Sequence, residues 1–274
     1  MEVDLKAIAR RIRRITFETI HKAGGGHFGG TMSLSEIMAV LYFSEMRVDP
    51  QNPEWEGRDR LVLSKGHGGP ALYVTLAAKG FFPKEYLAEL DKAGGRIPKH
   101  VDRLKLPHCG IDVSSGALGI GLSVGAGMAL AAKQGGSPVR VYVIMGDGEC
   151  NEGMVWEAAM FAAKYKLDNL VAIVDRNNCQ IDGTCDCVMP LEPFAAKWEA
   201  FGWRAHEVDG HDTDALREAL SAARATAGRP TILIARTRKG CGVSFMENNY
   251  LWHSGSITPE QAEQALAELE GAAC

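Results

Sequence analysis

Two stretches decide how this chain folds: Val139-Arg140-Val141-Tyr142-Val143-Ile144-Met145-Gly146-Asp147-Gly148-Glu149 and Asn169-Leu170-Val171-Ala172-Ile173-Val174-Asp175-Arg176-Asn177-Asn178. Each opens as a short apolar run, the pattern of a buried strand. Between them, from Glu152 to Lys166, Val155, Ala158, Ala159, Ala162 and Ala163 recur at helical spacing. Strand, helix, strand implies a parallel crossover with both strand C-termini on one sheet edge, where open α/β sheets bind ligands. Asp147 and Asn177 then arrive side by side as hard oxygen donors. They suit Mg²⁺, an ion that usually also holds phosphate oxygens when few protein oxygens bind it. The glycines flanking Asp147 let backbone N–H groups approach such a phosphate.

Working outward, helices and strands alternate without a low-complexity linker. Residues 4–22 read as a basic amphipathic helix with Leu5, Ile8, Ile12 and Ile15 on one face. Ser33 is expected to cap a second helix carrying Leu34, Ile37, Met38, Leu41 and Tyr42. A strand at 61–64 and a helix at 70–79 follow. A glycine loop from Gly116 to Gly121 leads into a small-residue helix at 123–134. Beyond the central unit come a helix at 193–201, a strand at 204–208, a helix at 212–227, a strand at 231–235 and a helix from Pro259. The pattern predicts a three-layer α/β/α fold with a mostly parallel sheet, as a single domain over residues 1–274.

Composition narrows the function classes. At 274 residues and 46% apolar the chain can build a full core, and a net charge of −4 gives no reason to expect nucleic acid or an anionic membrane. No run of 18 apolar residues occurs and the Met1-Glu2-Val3-Asp4 start is acidic, so neither a membrane span nor a signal peptide is expected. The seven cysteines contain no Cys-x-x-Cys pair. Cys179, Cys185 and Cys187 lie close together without a histidine in their loop, which favours reduced thiols over a soft-metal site and a cytoplasmic protein.

Four of the eight histidines sit between glycines or other small residues. They are His27 in Gly24-Gly25-Gly26-His27-Phe28-Gly29-Gly30, His67 in Ser64-Lys65-Gly66-His67-Gly68, His100 after Arg96-Ile97-Pro98-Lys99, and His253 before Ser254-Gly255. One such histidine is usually a solvated side chain. Four together suit a pocket for anionic or hydroxylated groups, since histidine donates to such oxygens and shuttles protons near neutral pH.

These stretches, with Ser115-Gly116-Ala117-Leu118-Gly119-Ile120-Gly121-Leu122-Ser123, Thr237-Arg238-Lys239-Gly240 and Trp252-His253, resemble the N-terminal diphosphate-binding domain of transketolases along the whole chain. The resemblance implies thiamine diphosphate and Mg²⁺ (or Ca²⁺ or Mn²⁺) as cofactors. It implies Asp147, Asn177 and the carbonyl of Cys179 as metal ligands. His67, Gly148, Glu149, Asn177, Lys239 and His253 would line the diphosphate site, and Gly116, Ala117 and Leu118 the rings. His27, His100 and His253 would face the sugar, and Glu152 would join a proton relay at a subunit interface. Because the chain stops where the first of three transketolase domains ends, it resembles the N-terminal subunit of a split enzyme. A separate C-terminal subunit would then bring the pyrimidine-binding domain and the activating glutamate, in an α2β2 heterotetramer. The implied reaction is transfer of a two-carbon ketol unit from an anionic ketose to an aldose.

Some positions depart from that pattern: Phe28 where proline is common, Ile120 for glutamine, Ala117 for serine or proline, and two extra residues in Pro107-His108-Cys109-Gly110. All are expected near the substrate channel. Other classes are weaker. Gly119-Ile120-Gly121-Leu122-Ser123-Val124-Gly125 mimics a dinucleotide fingerprint, yet no clear strand precedes it and no acidic residue closes a second strand about 20 residues on. A 2-oxo acid dehydrogenase α subunit shares the GDG…NN unit but lacks the His27, His67 and His253 contexts. A catalytically degenerate regulatory subunit is the non-enzymatic alternative.

Overall fold

In the computed structural model, which describes residues 3–271, the expected alternation is present. The helices are α1 (Leu5–Lys22), α2 (Phe28–Met32), α3 (Ser35–Val40), α4 (Gly69–Lys79), α5 (Gly121–Gln134), α6 (Gly153–Lys164), α7 (Cys185–Val188), α8 (Phe194–Ala200), α9 (Thr213–Ala225) and α10 (Pro259–Gly271). The strands are β1 (Arg60–Leu63), β2 (Val141–Gly146), β3 (Leu170–Arg176), β4 (Arg204–Asp209) and β5 (Thr231–Arg236). All pair in parallel in the order β1-β2-β3-β5-β4.

The pleat sorts the core into two halves. Tyr142, Ile144, Val171, Ile173, Leu233 and Ala235 face one cluster, which takes in Phe17 and Ile20 of α1, Ile37 of α3, Leu72 of α4 and Leu216 of α9. Val141, Val143, Met145, Ala172, Val174, Ile232 and Ile234 face the other, with Ala126 of α5, Ala159 of α6 and Trp198 of α8. Helices thus cover both faces, and β2, β3 and β5 read as nearly continuous apolar runs because neither face meets water, whereas the edge strand β4 is largely polar and exposed. Among the described residues no helix is long and apolar enough to cross a membrane.

Three local expectations change. Ser33 does not N-cap the second helix: it ends α2, Leu34 occupies the N-cap position of α3, and the Ser33 hydroxyl instead donates to Asp175 at 2.7 Å. The helix after it continues into a π turn over Leu41–Glu45. On α1 the buried face is Leu5, Ala9, Ile12, Thr16, Phe17 and Ile20, with Arg13 drawn in as well, while Ile8 and Ile15 are only half-buried.

Candidate functional site

Gly146 of β2 lies opposite Asp175 of β3, which lies opposite Ala235 of β5. The residues that follow, Asp147, Asn177 and the Thr237–Gly240 loop, therefore leave the sheet together at one edge. Asp147, Asn177 and Lys239 line a cavity of about 240 Å³, with Gly30, Lys65, His67, Leu118, Glu149, Glu152, Gln180 and His253. A larger cavity of about 390 Å³ between α1 and α4 is mainly apolar and brings no comparable set of polar groups together.

Asp147 is 1% exposed. Its Oδ1 accepts from Gly148 N at 2.8 Å, and its Oδ2 from Asn178 N at 2.6 Å and Arg176 Nη1 at 3.3 Å. Burial, then the charge of Asp175, pushes its carboxyl above the usual value, so the ionised group lacks a full counter-charge. Asn177 donates from Nδ2 to Asp175 Oδ2 at 3.1 Å, which fixes the amide and turns Oδ1 towards Cys179 N, 3.1 Å away. Asn178 takes a left-handed φ of 57°, tolerable for asparagine, and so turns the chain sharply. The Cys179 carbonyl comes within 3.4 Å of Lys239 Nζ on the cavity wall. One carboxylate, one amide oxygen and one carbonyl are the donors a hard divalent ion takes. Among the described residues no three His, Cys, Asp or Glu side chains gather as a metal site, including the three clustered cysteines.

Opposite these oxygens stands Lys239, 2% exposed and without an ion pair among the described residues. Burial and the neighbouring Lys65 lower its pKa. Its ammonium lies 3.3 Å from His253 Nδ1 and must donate, so neutral His253 has its proton on Nε2. Glycines keep the cradle open: a Cβ on Gly29 would sit 2.7 Å from Lys239 Cγ, and one on Gly148 2.8 Å from Gln180 Cγ. A buried unpaired cation facing oxygen donors across a glycine-lined gap fits a diphosphate with its divalent metal.

The four histidines converge. Ring centroids of His27 lie 5.5 Å from His67, 5.4 Å from His100 and 5.4 Å from His253, and His67 lies 5.1 Å from His253. The Thr31 hydroxyl, 2.5 Å from the His27 carbonyl and 3.2 Å from that of His67, ties two of their loops. Burial first and neighbouring cations second pull His27 and His253 down to about 4 and His67 well below its usual value. The three rings are neutral at pH 7, each with one donor and one acceptor nitrogen.

Glu149 is buried at the turn, its carboxylate accepting from the Ser64 hydroxyl, Gly119 N at 2.9 Å and Gly146 N at 3.0 Å. It therefore ties the glycine loop to the GDG turn. Leu118 lines the cavity, Gly116 and Ala117 are exposed beside it, and Glu152 is exposed on its rim at the start of α6. Gly125, part of the dinucleotide-like run, serves packing: a Cβ there would meet Val143 Cγ2 at 2.3 Å. Phe28 points into the core against Phe17 instead of towards the substrate channel.

The sequence alone did not assign a role to Asp175. It is fully buried and collects Lys65 Nζ at 2.5 Å, the Thr237 hydroxyl, the Ser33 hydroxyl and the Asn177 amide. A lone acid ending a strand of apolar residues was the only available signal.

The family described as "Transketolase, thiamine diphosphate binding domain" matches residues 4–270. The chain belongs to this family. It is 48% identical over 269 residues to the 6-deoxy-6-sulfo-D-fructose transketolase subunit SqwG of Clostridium sp. (strain MSTE9), covering 98% of this chain and 97% of that one. It is 45% identical over 270 residues to an apulose-4-phosphate transketolase subunit of Phocaeicola vulgatus, covering 98% and 95%. The solved transketolase from Leishmania mexicana superposes with a TM-score of 0.92 at 29% identity, over 98% of this chain and 42% of that one. This transketolase-type transferase fold thus spans less than half the length of that solved chain but nearly all of the two subunits. A 2-oxo acid dehydrogenase origin is not favoured by these relatives.

Proposed function

We propose that residues 1–274 form, as one domain, the diphosphate-binding subunit of a transketolase that moves a two-carbon ketol unit from an anionic ketose to an aldose. Lys239, buried, without an ion pair among the described residues and lining one cavity with Asp147 and Asn177, supports this most directly. Asp147, Asn177 and the Cys179 carbonyl hold Mg²⁺, while His67, Gly148, Lys239 and His253 take the diphosphate. Gly116, Ala117 and Leu118 border the rings, with Glu149 holding their loop. Bound there, thiamine diphosphate supplies the electron sink for breaking and remaking a carbon–carbon bond beside a carbonyl. The protein orients the sugar through His27, His100 and His253, and the neutral rings of His27 and His253 can accept or return a hydroxyl proton. The names of the two relatives, one for a sulfonated sugar and one for a sugar phosphate, support an anionic substrate.

A separate C-terminal transketolase subunit completes the enzyme by bringing the pyrimidine-binding domain and activating glutamate, in an α2β2 assembly in the cytoplasm. The names of the relatives, both given as subunits, support this, as do exposed Leu118, Ile120, Met154 and Ile181. Glu152 lies beside that apolar surface, suited to a relay between sites. Among the described residues the thiols of Cys109, Cys150, Cys179, Cys185 and Cys187 are in no disulfide, which accords with a reducing compartment. The purified chain with cofactor should give no turnover in a coupled transketolase assay and should gain it on adding the pyrimidine-domain subunit. Full turnover by the chain alone overturns the partnership.

The histidines separate by role. In the two-subunit enzyme, His27→Ala and His100→Ala should keep cofactor affinity and lose about 10²-fold in kcat/KM. His67→Ala should instead raise the apparent Kd of thiamine diphosphate. Wild-type behaviour of all three in both titrations would return them to solvated loop residues.

A further inference from the structure

Behind the cavity, a buried relay of side chains reaches the Lys239 loop from the far side. Arg13 of α1 and Glu36 of α3 are both buried, with Arg13 Nη2 2.5 Å from each Glu36 oxygen. Glu36 Oε2 lies 3.0 Å from His211 Nδ1. The backbone N–H of Arg238 donates to His211 Nε2 at 2.9 Å. A backbone N–H can only donate, so Nε2 holds a lone pair and the neutral ring carries its proton on Nδ1, directed at Glu36. The carboxylate thereby selects one tautomer and one ring orientation, as carboxylate partners of histidine do elsewhere. Burial alone would raise the Glu36 carboxyl, but the His211 hydrogen bond and the Arg13 guanidinium bring it below its usual value.

His211 is itself well anchored. Its own N–H donates to Asp209 Oδ1 at 2.8 Å, and the preceding Gly210 N–H donates to Arg236 O at 2.8 Å. A Cβ on Gly210 would come 2.4 Å from Thr237 Cγ2, so the loops after β4 and β5 lie against each other. Arg238 immediately precedes Lys239. On the other side of Lys239, Gly240 N donates to Gly29 O at 3.0 Å, and Asn248 N donates to Lys239 O at 2.9 Å. The chain is therefore held on both sides of Lys239; on the β5 side the Thr237 hydroxyl is tied to Asp175, and His211 accepts from the next N–H, that of Arg238.

We propose that His211 is a positioning residue: its Glu36-selected tautomer fixes the Arg238 amide and so aims the Lys239 ammonium into the diphosphate site. This rests on the diphosphate function assigned above. His211 is not among the residues lining the cavity, so its effect falls on anion affinity and not on the chemical step.

Two substitutions separate this from a merely structural role. In His211→Gln the amide oxygen can fall where Nε2 lies and accept from Arg238. In His211→Asn the amide nitrogen falls where Nδ1 lies, so Glu36 keeps a donor while nothing reaches Arg238. Calorimetric titration of the full chain with thiamine diphosphate, and separately with inorganic pyrophosphate, each with Mg²⁺, reads the outcome beside the thermal midpoint. The Asn variant should raise both Kd values about tenfold, as expected for one lost hydrogen bond, and the Gln variant should stay within about threefold of wild type. Equal affinities in all three chains, or a Gln variant as weak as the Asn variant, would overturn the proposal. A wild-type chain that binds neither probe would instead show that the diphosphate assignment has failed, and the proposal with it.

Discussion

Asp147→Asn should abolish Mg²⁺-dependent binding of thiamine diphosphate while leaving the cofactor-free chain as stable as wild type, or more so. The first half follows from charge. Asp147 is the only carboxylate in the proposed ligand set, and loss of a hydrogen-bond partner behind a metal ligand already costs 10–100-fold in affinity elsewhere, so losing the anionic ligand should cost at least about 100-fold. The second half follows from desolvation. The carboxyl of Asp147 is pushed above its usual value by burial and by Asp175, so the folded state without a cation disfavours the ionised form. A neutral amide of the same shape removes that cost, although one of its two polar atoms must then face a backbone N–H. Thermal unfolding with and without Mg²⁺ and cofactor tests both halves together. Wild type should gain stability on loading and the variant should gain none. An Asn variant that still shows a cofactor-dependent rise in midpoint would remove Asp147 from the metal site.

That separation of function from stability was only partly legible in the sequence. The apolar runs ending in GDG and Asn177-Asn178 implied the parallel crossover, and the structure places both ends at the same edge because strands buried on both faces leave a strong signal. The glycine contexts of His27, His67, His100 and His253 suggested a shared pocket, and their rings do meet. Local rules failed where a distant partner outcompeted a near one. Ser33 looked like a helix cap, yet its hydroxyl bonds to Asp175, 142 residues away. Ile8 and Ile15 looked like the buried stripe of α1, yet Arg13 lies deeper than either because Glu36 meets it. Periodicity ranks residues by hydrophobicity and cannot see that an arginine will be neutralised inside. For the same reason Glu36 and His211 gave no local signal, and Asp175 gave only that of a lone acid ending an apolar strand.

Lys65→Met should be the most destabilising single change near the site. Lys65 Nζ lies 2.5 Å from Asp175 Oδ2 and 2.7 Å from Gly30 O, with both charged side chains almost wholly inaccessible. Breaking a buried pair from one side leaves the other charge without compensation and costs about 3–5 kcal/mol. For a chain of this size that amounts to a fall of roughly 10 °C in the thermal midpoint. The orphaned carboxylate would still have the Thr237 and Ser33 hydroxyls and the Asn177 amide, which stops the loss from growing further. Adding Asp175→Asn removes the uncompensated charge, so the double variant should regain more than half of the lost stability. Cofactor affinity should not return with it. Asp175→Asn leaves one acceptor oxygen where Asp175 offers two to the Ser33, Thr237 and Asn177 donors, so the Asn177 amide is no longer held as firmly in the orientation that frees its oxygen for a metal. The pair must be measured at neutral pH. Burial works against the ionised Asp175, but Lys65 holds its carboxyl below the usual value, so its contribution is complete above the unfolded carboxyl range near about 4 and is lost as pH falls through the lower folded value. Urea unfolding of the four chains in a double-mutant cycle gives the coupling directly. Strict additivity of the two single losses would mean that Lys65 and Asp175 act independently, and the buried network would then not be what orders Asn177.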